Sequence, residues 1–202
     1  MSTLSPAISW VSGAWSRPTR TRSDGNALIA SAEKGSDLWE STVYGFHHRN
    51  AHTLLAPWDD TRAIEVCFDT STLQGEYDQA GVALVVSETT WLKAGVEISD
   101  GVPNVSTVVA RDGWSDWAAA PTPEWAGSEV TVRISPLADG LIVRARAGNT
   151  CWRTVRVLPL LPGTRADAGP YLAAPTRDGL DVKFLEWISR TPDIALHAAP
   201  PF

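Results

Sequence analysis

Helical periodicity is almost missing from this 202-residue chain, and two-residue alternation takes its place. No window carries apolar residues at sustained spacings of three and four, bounded by caps. Instead, apolar residues recur at every second position, which a β-strand sends to one face. Between these runs stand Gly, Pro, Asp and Asn, the residues that turns require. Such a chain has to build its core from sheets.

The runs 28–32, 38–44, 62–69, 79–87, 91–99, 104–111, 129–135, 141–147, 151–158, 169–174 and 180–190 read as strands. In 79–87, Ala80, Val82, Leu84 and Val86 alternate with Gln79, Gly81, Ala83 and Val85. The second set is also small and mostly apolar, so this strand is expected to be central and covered on both faces. Asp100-Gly101 is a strong hairpin signal, and Ala138-Asp139-Gly140 marks a second hairpin. Roughly ten to twelve short strands at hairpin spacing predict two stacked antiparallel sheets. With no linker and no internal repeat, one domain over 1–202 is expected, its core at about 28–190. Residues 50–60 and 112–127 read as long loops, and the tail HAAPPF as a loose end.

A formal net charge of −6, without any run of Lys or Arg, argues against nucleic acid. No apolar run reaches the length of a membrane span, and the start MSTLSPAISW lacks signal-peptide features. Cys67 and Cys151 read as reduced thiols in a cytoplasmic protein. The cysteines lack matched histidine spacing, so no metal and no cofactor is expected. Ten tryptophans are many for this length. Trp rings suit stacking on sugars and equally suit a sandwich core.

One strand stands out chemically. In 91–99, Leu92, Ala94, Val96 and Ile98 form an apolar face, while Trp91, Lys93, Gly95 and Glu97 form the other. An aromatic ring, an ammonium and a carboxylate in a row suit a ligand with apolar and polar sides, such as a carbohydrate. Lys93 and Glu97 lie about 13 Å apart along the strand, so each needs a partner elsewhere. Gln79 and Ser106 are the candidates, and Asp78, Asp116 and Trp117 are expected to frame the region. Glu97 could also serve as a general acid or base, paired across strands with Glu65 or Glu186. The plain alternative is a Lys93–Glu97 polar face with no ligand.

Other clusters carry less. His47, His48 and His52 read as an exposed loop group, with a metal site or general base as the alternative. Arg133, Arg144, Arg146, Arg153 and Arg156 read as a polar, solvent-facing sheet. There is no phosphate loop, nucleophile elbow or dinucleotide fingerprint.

Four segments together resemble the regulation of enolase protein 1 family: Asp37-Leu38-Trp39 with Tyr44-Gly45-Phe46, Tyr77-Asp78-Gln79-Ala80-Gly81, Trp91-Leu92-Lys93-Ala94-Gly95-Val96-Glu97 with Asp100-Gly101, and Ser115-Asp116-Trp117. The resemblance spans about 28–188. One departure follows Phe46, where the family tends to show an Asp-Asn-Gly-His-like turn and this chain has His47-His48-Arg49-Asn50-Ala51-His52. The resemblance implies a concanavalin-A-like lectin/glucanase fold, a jelly roll of two curved antiparallel sheets. It implies no settled reaction. Glucanases of this fold carry a Glu-x-Asp-x-Glu-like run that is absent here.

The expectation is therefore an all-β jelly-roll sandwich that binds a carbohydrate or small polar metabolite without turning it over. Trp39, Gln79, Trp91, Lys93, Glu97, Asp116 and Trp117 are the candidate ligand contacts. The alternatives are an enzyme using Glu97 and a protein-interaction or regulatory module with a protein partner.

Overall fold

The computed structural model describes residues 7–201. Sixteen strands run through these residues, and every named pairing is antiparallel. They are β1 (Ala14–Trp15), β2 (Thr21–Asp24), β3 (Ala27–Ala32), β4 (Leu38–Glu40), β5 (His47–Arg49), β6 (His52–Pro57), β7 (Ala63–Asp69) and β8 (Gln79–Ser87). There follow β9 (Thr90–Ser99), β10 (Val102–Arg111), β11 (Trp114–Pro121), β12 (Glu129–Leu137), β13 (Gly140–Ala147), β14 (Arg153–Pro159), β15 (Asp167–Ala173) and β16 (Leu180–Arg190).

One seven-stranded sheet has the order β1-β6-β15-β8-β9-β10-β11, the other β14-β13-β12-β7-β16-β3-β2. β4 and β5 form a separate hairpin. The alternation seen in the sequence explains the stacking. Ala80, Val82 and Leu84 from β8 join Leu92, Ala94, Val96 and Ile98 from β9 in one buried cluster. Ile64, Val66, Phe68, Val130, Val132, Ile134, Leu141 and Val143 meet them from the second sheet. β8 lies between β15 and β9, and residues 79–84 are buried on both faces. Trp125 is buried in the same core.

The two-residue turn Asp100-Gly101 has φ of 53° and 75°. Positive φ at both positions is what a tight hairpin matching strand twist demands. Asp112-Gly113 repeats it, with φ of 51° and 82°, and turns β10 into β11.

Three expectations are corrected. Residues 112–127 hold an edge strand, β11, rather than a loop; β10 alone supplies its backbone partners, so its Ala-rich sequence needed no β-propensity of its own. Residues 50–60 likewise hold β6, laddered between β1 and β15. The arginines of the second sheet are not uniformly solvent-facing. Arg133 is fully buried, bonding Glu65 at 2.6 Å, Asp193 at 2.8 Å and the Thr191 carbonyl at 2.6 Å. Arg144 bonds Asp193 at 2.7 Å and the carbonyls of Leu196 and Ala198. The segment after β16 is thus strapped over that sheet, and Ala198 near its end is still tied down. Buried guanidiniums persist because each has ionic and hydrogen-bonding partners.

Candidate functional site

The outward face of the first sheet is built in rows. Register sets Gln79, Glu97 and Asn104 side by side on β8, β9 and β10. Another row runs Ala83, Lys93, Val108 and Trp117. Between them lies Tyr171, Gly81, Gly95 and Ser106. A Cβ on Gly81 would stand 2.1 Å from the Ala94 carbonyl oxygen, and one on Gly95 2.0 Å from that of Ala80. Neither position can take a side chain, so bare backbone separates the Lys93 row from the Glu97 row.

The β4–β5 hairpin folds over this face. Its approach is fixed by Gly35 N–H to the Ala174 carbonyl at 2.9 Å and Ala174 N–H to Ser36 Oγ at 2.9 Å. Glu40 N–H donates to Ser115 Oγ on β11 at 2.8 Å. The Glu40 carboxylate is buried and receives His47 Nδ1 at 2.5 Å and Arg49 Nη2 at 3.1 Å. Burial opposes its ionisation, but the Arg49 and His47 hydrogen bonds outweigh that and hold its pKa below the usual glutamate value.

Beneath the hairpin, Lys93 Nζ donates to Asp37 Oδ1 and to Gln79 Oε1, each at 2.7 Å. Gln79 Nε2 also donates to Asp37 Oδ1, at 3.1 Å. Glu97 lies farther along β9, only 6% exposed, and accepts from Ser106 Oγ at 3.3 Å. Burial raises the Glu97 pKa; Lys93 opposes this, Asp37 reinforces it, Ser106 lowers it and Glu76 adds to the rise. Tyr171 is fully buried with its hydroxyl unpaired among the described residues, and burial, then Glu97 and Asp37, push its ionisation upward.

A cavity of about 340 Å³ opens over this floor, within the size range of small-molecule sites. Asp37, Gln79, Lys93 and Glu97 line it from below. Trp39, Tyr44, Phe46, His48, Tyr77 and Trp117 line its walls. The hairpin rings touch in sequence: Trp39 tilted against Tyr44 at 5.8 Å, Tyr44 stacked on Phe46 at 5.2 Å, and Phe46 edge-on to His48 at 4.7 Å between centroids. Tyr77 has φ of 63°, an uncommon value for a bulky residue. Buried Asp78 holds its turn by accepting from the N–H groups of Gln74 and Gly75 and from Arg177. Among the described residues, no group of three or more His, Cys, Asp or Glu could hold a metal ion. No helix among them is long and apolar enough to cross a membrane.

Residues 15–192 match the family described as protein of unknown function (DUF1349). The chain belongs to this family. Regulation of enolase protein 1 of Saccharomyces cerevisiae (strain ATCC 204508 / S288c) is 29% identical over 183 residues, covering 89% of this chain and 90% of that protein. The solved structure of a functionally unknown protein from Saccharomyces cerevisiae superposes with a TM-score of 0.82 at 27% identity, covering 92% of this chain and 100% of the other. The fold recurs in a xylan β-1,4-xylosidase from Bacillus halodurans C-125, with a TM-score of 0.69, 9% identity, and coverage of 94% of this chain and 40% of that one. It recurs in lectin I-B4 from Griffonia simplicifolia, with a TM-score of 0.52, 14% identity, and coverage of 89% and 92%. At such identities these two likenesses describe the jelly-roll fold alone.

In this DUF1349 chain, five of the seven candidate contacts share one cavity: Trp39, Gln79, Lys93, Glu97 and Trp117. Two do not. Trp91 is 4% exposed and packs with Leu38, Ala51, Val108, Ala110 and Ala173. It shares the Lys93 face, but that end of the face is sealed by the hairpin. Asp116 precedes Trp117 on a strand and therefore points the other way. It pairs with Arg156 of β14 at 2.5 Å, across the edge between the sheets. Glu65 is also ruled out as a partner for Glu97. It lies on the outward face of the opposite sheet, bound to Arg133, and Glu186 is exposed on β16 of that sheet.

The histidines are not a loop group. His47 and His48 lie on β5, and His52 is buried at the start of β6. His52 Nε2 accepts the Glu33 N–H at 3.1 Å, and burial lowers its pKa. Asp37, Tyr44, Phe46, His48 and Tyr77 were missed as cavity residues. The aromatic spacing of Tyr44 and Phe46 was the available signal, since alternate residues share a side of an extended segment.

Proposed function

We propose that this domain binds a carbohydrate or small polar metabolite in the cavity between the β4–β5 hairpin and the first sheet, without chemical turnover. The supporting observation is the pairing of a hydrogen-bonding floor, Asp37, Gln79, Lys93 and Glu97, with a wall of aromatic rings. Ligands with C–H faces and polar rims need that combination. Preorganisation supports it further. Lys93 and Gln79 are held in place before any ligand arrives, which lowers the ordering cost of binding.

Turnover by Glu97 is the weaker reading. Glycoside hydrolysis requires a second carboxyl at a set distance. Asp37 is the other acid lining the cavity, and its Oδ1 is committed to Lys93 and Gln79. We place the domain in the cytoplasm, in keeping with two unpaired thiols, Cys67 and Cys151. The net charge of −6 favours neither nucleic acid nor anionic lipid as a partner.

Calorimetry after a glycan and metabolite screen tests the reading. A hit should lose affinity at least ~10-fold in Trp117→Ala, the scale of one buried aromatic contact, and should be recovered chemically unchanged. A hit indifferent to both Trp117→Ala and Gln79→Ala discards the site.

A further inference from the structure

The ionisable groups of the cavity do not balance. Asp37 and Glu97 are acidic and Lys93 is basic, and all three line the same space. Lys93 is already compensated by Asp37 at 2.7 Å, with Gln79 Oε1 at 2.7 Å as a second acceptor. Glu97 makes no ion pair among the described residues, and the Lys93 charge reaches it only from along the strand. Its Oε2 takes one long hydrogen bond, 3.3 Å from Ser106, and its Oε1 takes none among the described residues. The arginines of the hairpin and of the 175–179 turn are committed elsewhere, Arg49 to Glu40 and Arg177 to Asp78. The rim adds negative charge, since Glu76 accepts the Asp100 N–H beside Tyr77.

The walls point the same way. Tyr44, Phe46, Tyr77, Trp39 and Trp117 turn aromatic surface to the cavity, and aromatic faces attract cations through the ring quadrupole. Tyr77 lies close enough to both Tyr44 and Glu97 for their charges to act on its hydroxyl. Rings grouped around one uncompensated carboxyl form a cage for a charged nitrogen.

We propose that the ligand presents a cationic nitrogen, an ammonium or alkylated ammonium group, to Glu97 within the aromatic walls. This rests on the binding function proposed above and narrows its ligand class to amine-bearing metabolites, amino sugars included. Burial keeps Glu97 reluctant to ionise. The groups that face it are Lys93 on its own strand, Asp37 before β4, Glu76 and Tyr77 before β8, and Tyr171 on β15. An arriving cation stabilises the carboxylate, and the proton leaves to solvent as the cation seats.

Paired probes differing in charge decide the matter. Choline is compared with 3,3-dimethylbutan-1-ol, and 2-amino-2-deoxyglucose with glucose, by titration calorimetry in two buffers of different ionisation enthalpy. The cationic member should bind ~10-fold or more tightly, combining a desolvated cation–π contact with a carboxylate. Its binding should release protons, and Glu97→Gln should bring the pair within ~3-fold, a gap small against that effect. The near-isosteric change keeps the fold, which thermal melting checks. Tyr44→Leu, at an exposed position, should weaken the cation selectively. If glucose binds as well as its amine, or the preference survives in Glu97→Gln, the cation inference is overturned while the pocket stands. If neither member of either pair binds and the wider screen yields no ligand, both fall together.

Discussion

Lys93 and Asp37, 56 residues apart in sequence, meet at 2.7 Å between the first sheet and the hairpin that covers it. This one contact fixes the floor of the cavity and ties its roof to the sheet. Both partners are withdrawn from bulk water, so their attraction is little screened. Removing one leaves the other charged and poorly solvated.

Asp37→Ala should therefore destabilise the protein by ~3 kcal/mol, toward the lower end for breaking a buried pair because Asp37 keeps some exposure. Urea denaturation measures it. Lys93→Met combined with Asp37→Ala should recover part of the loss, because no orphan charge remains. Additive losses in the double variant would show that the two side chains are not coupled.

Glu97 gives a pH signature. A carboxyl whose pKa is raised on folding binds its proton more tightly in the native state. The native state then holds more protons than the unfolded chain once pH passes the ordinary glutamate value of 4.5. Stability should fall as pH rises from that value through the raised one. Glu97→Gln, which has no proton to lose there, should flatten that part of the profile. Melting temperatures between pH 4 and pH 8 for both proteins check this; parallel profiles contradict it.

Two tryptophans on the first sheet should behave in opposite ways. Trp91 fills a buried cluster under Leu38, so Trp91→Ala should cost ~3–5 kcal/mol of stability. Trp117 is 45% exposed, so Trp117→Ala should cost under ~1 kcal/mol and act chiefly on ligand affinity. Chemical denaturation beside calorimetry separates the two effects.

The C-terminal strap makes a further stability claim. Asp193 bridges Arg133 and Arg144, both buried. Asp193→Ala should lower stability by ~3–5 kcal/mol, since two guanidiniums lose one anion. Hydrogen exchange should show the strap loosening together with β12 and β13. Unchanged protection of those strands would remove the strap from the account.

The sheets were readable because most long strands carry one apolar face. Leu92, Ala94, Val96 and Ile98 could go only inward, which sent Lys93 and Glu97 outward. Alternation assigns a face but not what covers it, and so Trp91 and Lys93 looked equivalent until the hairpin sealed one end. Asp37 was hidden because its partner is far along the chain, where no local pattern reaches. β11 was hidden by its alanines, although Asp112-Gly113 repeats the turn that announced β9 and β10. Arg133 looked solvent-facing because the segment that buries it returns from the far end of the chain.

Nuclear magnetic resonance of the indole N–H groups, one from each of ten tryptophans, reports on the cavity while the rest of the fold serves as control. On titration with a screened ligand, the Trp39 and Trp117 signals should shift saturably, while those of the core residues Trp125 and Trp187 stay in place. Saturable shifts confined to Trp58 and Trp187, which line a separate cavity with Ala56, Arg62 and Ser189, would place the ligand elsewhere and contradict the site.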